Sequence, residues 1–539
     1  MNFGTSYKQH AIVGDFDVIV IGSGIGGLAA AALLTKHAGK RVLVLERHYT
    51  AGGFTHVFHR PGYDWDVGVH YIGDVLNEES SLRLLIDDIS NAQIEWADMG
   101  DVYDRVIIGT HTFDFVKGKE PFRRQLHEHF PDERQAIDRY LREIDSTVRR
   151  AQAYFVEKAL PVPLSRLIGS FLRWPLLRKS KRTTLQTLSS FTCDEKLIGI
   201  LTAQYGDYGL PPSRSSFFIH AMVARHYLNG AAYPVGGAAS FARTILPVIE
   251  EGGGAVFTNA QVNAILIDND HAVGVRLDDG KELRAPIVIS DAGATNTFRH
   301  LLPKDIRCRR QLDKIMNQQE DSTAHLSLYI GLRHTAAELG LSKTNLWIYD
   351  DYDHDRGFER MMDDPKSPLP FVYISFPSAK DPDFERRHPG RATIEVISVA
   401  PYAWFDKWER TQWKKRGEDY EAFKERLQEQ LLERLYAHCP QVKGKVDYAE
   451  LSTPLTTRHF TNHPRGMIYG LAATPARFEK RWLRPQTPLR NLFLTGSDIC
   501  SPGVAGALFG GLLTASAITG RNLEPVVAKG AIAAFGSKR

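Results

Sequence analysis

Cysteine is scarce in this sequence. There are four cysteines in 539 residues and no CxxC pair; they are Cys193, Cys308, Cys439 and Cys500. Disulfide frameworks and cysteine-based zinc sites need cysteines at short, regular spacings. We therefore expect neither, and we predict no metal site. Widely separated cysteines fit a reducing compartment, so we expect a cytoplasmic protein.

An excess of charge of one sign is also lacking. Lys and Arg number 67 and Asp and Glu number 63, which gives a net charge of +4 with histidine neutral. This balance gives no reason to expect a nucleic-acid partner. The stretch MNFGTSYKQHAIVGDFD is polar and lacks the apolar core of a signal peptide, so we do not expect one.

Long apolar runs free of glycine are missing too. The two nearest candidates are VIVIGSGIGGLAAAALL, from Val18, and GVAGALFGGLLTASAITG, from Gly503. A membrane-spanning helix needs about 20 mostly apolar residues. Both runs are dense in glycine, and the first begins as a strand. We interpret both as the core of a cofactor-binding domain and not as membrane spans.

The sequence does contain a complete βαβ unit, FDVIVIGSGIGGLAAAALLTKHAGKRVLVLER. Phe16 to Ile21 predicts a buried parallel strand, and the following GSGIGG fits GxGxxG at Gly22, Gly24 and Gly27. The first glycine allows a tight turn, the second a close backbone approach to a diphosphate, and the third close helix packing. We predict that this turn, Ser23 included, binds the phosphates of a nucleotide cofactor.

An acidic residue and a second glycine pair follow in the stretch ERHYTAGGFTHVF. Glu46 ends the second predicted strand, where a carboxylate binds ribose hydroxyls. Its charge would repel the 2′-phosphate of NADP, which leaves FAD or NAD. Gly52 and Gly53 favour FAD because they allow another close backbone approach to the diphosphate. Arg47 is either a further diphosphate contact or a solvated surface residue.

A C-terminal segment, RNLFLTGSDICSPGVAGALFGG, repeats the strand–turn–helix pattern. Leu492 to Thr495 predicts the strand, Gly496 the turn, and Gly503 to Ala517 the helix. Asp498 either bonds a ribityl hydroxyl of a flavin or caps a turn. The helix from Val504 would direct its positive end at an anionic site such as a reduced flavin.

A middle segment from Tyr233 predicts a turn, a helix and a β-meander with a hairpin at 278–280 and a return strand at 287–290. Three separated segments thus predict one discontinuous α/β domain of Rossmann type that binds FAD. Its predicted bounds are 10–94, 233–299 and 450–525. Residues 95–232 and 300–449 remain for an α+β substrate domain.

The second of these intervals contains three alternating tracts, AHLSLYIGL, FVYISFPS and ATIEVISVAPY. They predict an antiparallel sheet with one face toward a cavity. The charged tract 418–438 predicts a solvated amphipathic helix.

The tract 153–185 mixes apolar and basic residues. The apolar ones are Leu164, Leu167, Ile168, Phe171, Leu172, Trp174, Leu176 and Leu177, and the basic ones are Arg166, Arg173, Arg178, Lys179, Lys181 and Arg182. The pattern is typical of an interfacial helix on an anionic bilayer, or of a cap helix over a substrate cavity. The two interpretations are compatible, because an enzyme that takes a lipid from a bilayer would open its cavity there. We expect a peripheral membrane association.

Six motifs, in family order, resemble those of the phytoene desaturase-like flavoproteins, and most closely those of its retinol saturases and carotenoid cis–trans isomerases. They are GSGIGGLAAAALL, LERHYTAGGFTHVF, GYDWDVGVHYIGD, YGDYGLPPSRSSFFIHAMVARHYLNGAAYPVGG, PRGMIYG and LFLTGSDICSPGVAGALFGG. The resemblance implies tightly bound FAD, a monoamine-oxidase-like two-domain fold, a tunnel for a polyisoprenoid or other long lipid, and membrane association. It also implies FAD contacts at Gly22, Gly24, Gly27, Glu46, Arg47, Gly53, Val262, Gly496, Asp498 and Val504.

The function predicted on this basis is an FAD-dependent oxidoreductase that saturates or desaturates a C=C bond of a retinoid- or carotenoid-like polyene. One alternative is redox-neutral isomerisation of such a polyene, and a second is a flavin amine oxidase of the same architecture. A third is a lipid-binding or flavin-storage protein. No second GxGxxG follows a strand, so the electron donor or acceptor stays open among a quinone, a small carrier and a partner protein.

The stretch GYDWDVGVHYIGD is predicted to run from the diphosphate toward the flavin ring. Asp66 and Gly68 predict a turn that brings backbone close to the cofactor. His70 and Tyr71 are predicted to lie beside the flavin and to face the substrate tunnel. His70 is our candidate catalytic residue, either as a proton donor or as a polariser of the flavin. The alternative is a histidine that only hydrogen-bonds the ring or the backbone.

Overall fold

A parallel sheet assembles chain segments that are far apart in sequence. The computed structural model describes residues 2–536. All neighbouring strands of this six-stranded sheet run parallel. In spatial order they are Thr5–Ser6, Ala255–Thr258, Val42–Leu45, Val18–Ile21, Ile287–Ser290 and Leu492–Leu494. The predicted strands of the three cofactor segments therefore share one sheet. Its edge strand, Thr5–Ser6, lies before the predicted start of the domain, and the domain boundaries stay a prediction.

The two glycine-rich runs form helices that pack against each other in the core below this sheet. They are Ile25–Ala38, most of which is buried, and Gly503–Thr519, about half of which is buried, and both contribute to one hydrophobic core. Glycine permits the close approach, since a Cβ on Gly511 would lie 2.7 Å from the carbonyl oxygen of Gly26. Their interpretation as a core is confirmed.

Within residues 2–536, no single helix has the length and apolar content to cross a membrane. Gly503–Thr519 and Glu524–Ala534 together have the length and composition of a membrane span, but the pair is bent by 115°.

The second large sheet has seven strands and belongs to the other half of the molecule. In spatial order they are Val446–Ser452, Ala324–Leu332, Ala392–Ala400, Val372–Ser375, Asn345–Tyr349, Val102–Ile108 and His111–Val116. The three predicted tracts pair antiparallel, as expected. The sheet as a whole is mixed, because Asn345–Tyr349 pairs parallel with Val102–Ile108. Val102–Ile108 lies in the first predicted interval of the substrate domain, 95–232, so both intervals contribute strands to this sheet.

Three smaller sheets connect and flank the large ones. The predicted meander is Val262–Asp268, His271–Leu277 and Glu282–Arg284. A three-stranded sheet joins Ile72–Gly73, Ala231–Pro234 and Trp96–Asp98, and a hairpin pairs Val57–Arg60 with Tyr63–Asp66. The stretch GYDWDVGVHYIGD therefore passes from a hairpin to a strand between the two halves of the molecule.

The helices complete the fold. In chain order they are Ile25–Ala38, Ser81–Ile89, Lys119–His129, Arg134–Ala159, Val162–Ser180, Thr184–Leu188, Glu195–Leu201, Phe217–Tyr227, Ala239–Glu251, Arg309–Met316, His354–Asp363, Pro377–Lys380, Phe384–Arg387, Glu418–His438, Pro454–Thr461, Pro475–Glu479, Gly503–Thr519 and Glu524–Gly536. The predicted charged helix is present as Glu418–His438, and it buries Leu427, Leu431 and Leu435 on one face.

One helix, Val162–Ser180, presents apolar side chains to the outside; we call it the exposed helix. Leu167 and Phe171 are each 81% exposed and Trp174 is 59% exposed. Leu164 and Ile168 lie on the same face by their helical spacing and are also exposed. The opposite face, which includes Arg173 and Leu176, is buried. Arg173 was expected among the basic residues of the surface, but it donates a hydrogen bond to the carbonyl of Phe478 at 2.8 Å.

Candidate active site

A glycine-lined turn forms one end of the site, which we call the cradle end. Gly22 follows the buried strand Val18–Ile21 with φ of +96°, a backbone conformation that favours glycine. A Cβ on Gly53 would lie 2.8 Å from the Cα of Gly24, so the two loops meet backbone to backbone. Such a cradle brings N–H groups and not side chains next to a ligand. It fits the diphosphate of FAD.

Glu46 holds this cradle together. Its Oε2 accepts hydrogen bonds from the N–H of Ser23 at 2.9 Å and the hydroxyl of Ser23 at 2.7 Å. Its Oε1 accepts from the N–H of His48 at 2.7 Å. The N–H of Gly52 donates to the Ser23 hydroxyl at 3.1 Å. A carboxylate has about four acceptor sites, so the buried Glu46 keeps capacity for a ribose hydroxyl.

Asp291 is a cradle residue that no sequence motif pointed to. It directly follows the strand Ile287–Ser290 and accepts hydrogen bonds from the N–H groups of Gly27 and Gly24. Burial raises its pKa to about 8, with a smaller contribution from the charges of Glu46 and Asp498. A neutral carboxyl adds no negative charge beside a diphosphate, so Asp291 also fits the cofactor.

Asp498 joins three chain segments at the cradle end. Its Oδ2 accepts from the N–H of Ala294 at 2.8 Å, and its Oδ1 accepts from the N–H of Leu471 at 2.9 Å. This geometry agrees with the alternative of a turn cap, and Asp498 also lines the cavity. The neighbouring Gly496 touches the first helix, because a Cβ on Gly26 would lie 2.5 Å from its Cα.

Arg47 is half-buried and is not a solvated surface residue. Its Nη1 donates hydrogen bonds to the carbonyl oxygens of His459 and Phe460, both at 3.0 Å. These carbonyls belong to the last turn of the helix Pro454–Thr461. Arg47 therefore holds a helix end while lining the cavity, and its contact with a diphosphate stays a prediction.

The predicted cofactor residues converge on one place. Nine of them line a single cavity: Gly22, Gly24, Glu46, Arg47, Gly53, His70, Val262, Asp498 and Val504. The other four, Ser23, Gly27, Gly52 and Gly496, support its wall through the contacts of the cradle. Their role in binding FAD stays a prediction that this arrangement fits.

The same cavity continues to the seven-stranded sheet. Its wall includes residues from both halves of the molecule, so a cofactor at the cradle end and a second ligand near the seven-stranded sheet would share one space. We call the far part the sheet end; it is lined by Asp207, His325, Ser327, Trp347, Phe371, Tyr373, Ile397, Ser398, Val399 and Tyr469.

Several buried polar atoms at the sheet end have no hydrogen-bond partner within the described residues. They are Nδ1 of His325, Oγ of Ser327, Nε1 of Trp347 and the hydroxyl of Tyr373. Nearly all buried polar groups in proteins are paired. A ligand with a polar group in this part of the cavity would pair with them.

His70 lies on the cavity wall between the two ends, and its predicted position beside the flavin stays a prediction. Its Nδ1 is 2.7 Å from Oε2 of Glu395, a fully buried carboxyl. Burial lowers the pKa of His70 to about 3, with a further contribution from the charge of Lys380. The ring is therefore neutral at physiological pH, and its catalytic role stays a prediction.

Two other predictions for this stretch are wrong. Tyr71 does not line the cavity but is buried behind it, where its hydroxyl contacts Asp104 and Asp207. Asp66 is not part of a turn: it ends the strand Tyr63–Asp66 and accepts a hydrogen bond from the N–H of Ala238 at 2.8 Å. It thereby holds Ala238, the residue directly before the helix Ala239–Glu251. Gly68 does lie on the cavity wall.

Lys380 and Glu395 are buried residues of the site that were not predicted. The Nζ of Lys380 donates to the carbonyl of His70 at 2.9 Å, to the hydroxyl of Ser375 at 2.8 Å and to the side-chain oxygen of Asn345. Burial lowers the pKa of Lys380 to about 7 and raises that of Glu395 to about 8. The sequence feature that could have indicated Glu395 is its position as the single glutamate of the apolar tract ATIEVISVA.

Comparison with known proteins identifies a family and several relatives of this chain. The sequence pattern of the family described as flavin-containing amine oxidoreductase matches residues 25–519. The all-trans-retinol 13,14-reductase of Danio rerio is 38% identical over 95% of this chain and 87% of its own length. The human protein of that name is 37% identical over 96% and 88%. The chloroplastic prolycopene isomerase of Arabidopsis thaliana is 25% identical over 93% and 82%.

Solved structures share the fold. A crystal structure of an oxidoreductase from Methanosarcina mazei superposes with a TM-score of 0.62, at 18% identity, over 92% of this chain and 98% of its own. At this identity the similarity extends to the fold alone.

Proposed function

The chain belongs to the flavin-containing amine oxidoreductase family and is an FAD-dependent oxidoreductase, and we propose that it saturates a C=C bond of a retinoid-like polyene. The observation that carries the proposal is the single cavity that joins the glycine cradle to a buried aromatic wall. The relatives named all-trans-retinol 13,14-reductase support the direction of the reaction. The isomerase relative is more distant and fits less well.

The aromatic wall suits a flat conjugated chain. The ring centroid of Trp347 lies 5.6 Å from that of Phe371 and 4.6 Å from that of Tyr373. All three side chains are buried, so the sheet end excludes water when a lipid fills it. The unpaired polar atoms of His325 and Ser327 are placed to bind a terminal hydroxyl of the substrate.

When FAD is bound, it supplies hydride chemistry at its ring. The chain supplies the remaining requirements. The cradle residues bind the diphosphate, Glu46 binds the ribose, and the sheet end orients the double bond and keeps water away. A saturation reaction also needs a proton for the second carbon of the double bond, and that proton comes from a protein group.

The experiment is an anaerobic reaction of the chemically reduced holoprotein with all-trans-retinol, followed by product analysis. We expect a product with one C=C bond fewer. A product that differs only in cis–trans geometry would support the isomerase alternative. Reduction of the oxidised holoprotein by an amine would support the amine oxidase alternative and contradict the proposal.

We further propose that the exposed helix attaches the protein to an anionic membrane surface. Its apolar face carries Leu167, Phe171 and Trp174, and the basic residues Arg166, Arg178 and Lys181 lie beside it at the surface. Apolar side chains flanked by cations are typical of helices that lie in the lipid interface. A lipid substrate would then reach the protein from the bilayer. A cytoplasmic location stays a prediction.

Vesicle sedimentation tests this attachment. Vesicles that contain phosphatidylserine should bind the full chain, and the variant carrying Leu167→Glu and Phe171→Glu should lose that binding. The matched control is Val13→Glu, another strongly exposed apolar side chain far from the helix in sequence. Equal sedimentation of the double variant and the unaltered protein would contradict the proposal.

A further inference from the structure

We propose that Asp207 is the proton donor of the reaction. The inference rests on the proposed C=C saturation and names the residue that completes it. Asp207 ends the short turn Tyr205–Asp207 in the motif YGDYGLPP, and it lines the sheet end of the cavity. The other carboxyl groups of the cavity wall within the described residues, Glu46, Asp291 and Asp498, all belong to the cradle end.

Asp207 is half-buried, and it lies next to the fully buried carboxyl group of Asp104. The hydroxyl oxygen of Tyr71 lies 3.2 Å from Oδ2 of Asp207 and 2.9 Å from Oδ2 of Asp104. A phenol has a single hydrogen, so Tyr71 can donate to only one of the two. The other contact is a hydrogen bond only if that carboxyl carries a proton and donates it to the phenol oxygen.

The surroundings decide which of the two carries the proton. Asp104 accepts hydrogen bonds from Gln204 at 2.7 Å and from Asn345 at 2.9 Å, in addition to Tyr71. Asn345 in turn accepts from the ammonium of Lys380. Burial raises the pKa of Asp104 as well, but its three donors and the nearby Lys380 oppose that rise and favour the ionised form.

Asp207 has the opposite environment. Burial and the negative charge of Asp104 next to it keep the pKa of Asp207 well above the ordinary value of an aspartate, and its one hydrogen-bond contact, with Tyr71, is too weak to offset them. The titratable groups that face the pair are Tyr71, Tyr103, Tyr208, Tyr227, Tyr349, Tyr373, Tyr469 and Lys380. Burial raises the pKa of each of these tyrosines, so Lys380 is the cation in this set.

The step balances as follows. Bound, reduced FAD would supply a hydride, and with it both electrons, to one carbon of the C=C bond. The O–H bond of Asp207 breaks, its proton forms a C–H bond at the neighbouring carbon, and Asp207 is left as a carboxylate. The substrate is reduced and the cofactor is oxidised by two electrons. Water that enters after the product leaves returns the proton.

Asp207 and His70 differ in acidity, and this difference decides which of them can donate the proton. A neutral imidazole, which is the form that burial favours at His70, is a much weaker acid than a carboxylic acid. His70 lies at the wall between the ends and is fixed by Glu395 and Lys380. We therefore assign the proton to Asp207 and leave His70 a positioning role.

The test uses Asp207→Asn in the full-length, FAD-loaded and reduced protein, mixed with all-trans-retinol without oxygen. General acid catalysis contributes about 10²–10⁴-fold, so polyene loss should slow by at least about 100-fold. FAD content and retinoid binding, the latter followed by tryptophan emission, should stay unchanged. Asp207→Glu should restore part of the rate.

The control is Asp104→Asn, which removes the neighbouring charge but leaves the proposed donor in place. Without that charge the pKa of Asp207 falls, so the pH above which the rate declines should move down. A donor elsewhere in the site would not show this shift. An unchanged rate in Asp207→Asn, or an unchanged pH profile in Asp104→Asn, overturns the assignment.

An infrared measurement on the protein without substrate or FAD keeps the assignment testable if no polyene reacts. The spectrum of the unaltered protein minus that of Asp207→Asn should contain the C=O band of one protonated carboxyl at neutral pH. A carboxylate band in its place would overturn the assignment. A protonated Asp207 in a protein that reduces no polyene would instead count against the proposed function.

Discussion

The two ends of the cavity meet their ligands in different ways. At the cradle end the wall is backbone: Gly22, Gly24 and Gly53 leave room for N–H groups and exclude Cβ atoms. At the sheet end the wall is side chains, such as Trp347 and Tyr373 on neighbouring strands. The cradle recognises the shape and charge of a cofactor. In the proposed function, the sheet end selects a substrate by its aromatic surface and by the protonation of its buried groups.

The cradle should lose FAD binding when a single methyl group is added where the two backbones touch. Gly53→Ala places a Cβ 2.8 Å from the Cα of Gly24, at a residue with φ of +55°. We expect the purified variant to contain almost no FAD, as measured by flavin absorbance per protein. The matched control is Gly39→Ala, because Gly39 has φ of +59° and a Cβ there meets nothing within 4 Å. A Gly53→Ala protein with a full complement of flavin would remove the close contact from the explanation.

At the sheet end we expect a substitution to lower the stability of the fold, because it removes a buried charge. Lys380→Met removes the donor to His70, Ser375 and Asn345 and leaves Glu395 and Asp104 without a cation. We expect the free energy of unfolding to fall by about 3 kcal/mol, since removing one member of a buried charged set costs about that much. Chemical denaturation measures it. Lys366→Met, at an exposed lysine, is the control and should cost far less; equal losses in the two variants would contradict the prediction.

A pH experiment tests whether Asp291, a carboxyl of the cradle end, is protonated in the folded protein. The pKa of Asp291 rises from 3.8 to about 8 on folding, so the folded apoprotein binds the extra proton between these pH values. The stability that this proton contributes is complete below pH 3.8 and is lost as the pH rises through about 8. In Asp291→Asn, the free energy of unfolding should therefore decline less steeply with pH, by up to about 1.4 kcal/mol per pH unit.

Denaturant unfolding of the apoprotein between pH 5 and 8 measures this slope. Asp132→Asn, at an exposed position, is the control and should leave it unchanged. An identical slope in Asp291→Asn and the unaltered protein would show that Asp291 is ionised in the folded state.

The two ends also differ in how far the sequence predicts them. The cradle depends on residues close together in the chain, so the spacing of Gly22, Gly24 and Gly27 and the position of Glu46 are sufficient. Asp498 was predicted in the same way, by its position after a strand. Asp291 also follows a strand, but its contact with Gly24 spans two segments that no motif connects.

At the sheet end the decisive contacts are between residues far apart. The network that links Tyr71 to Asp104 and Asp207 depends on strand pairing across the two intervals of the chain. No local pattern predicts that Tyr71 faces away from the cavity or that Lys380 is buried. The exposed helix shows the same limit, because Arg173 fits a surface pattern but is buried against Phe478. Burial of polar groups by distant segments cannot be read from spacing.

The most direct test follows flavin and polyene absorbance together after the reduced holoprotein is mixed with all-trans-retinol without oxygen. If the two ends form one reaction site, one C=C bond disappears for each flavin oxidised, and both changes have the same rate constant. Polyene loss or isomerisation while the flavin stays reduced, or flavin oxidation at a rate independent of the retinoid, would contradict a single site for C=C saturation.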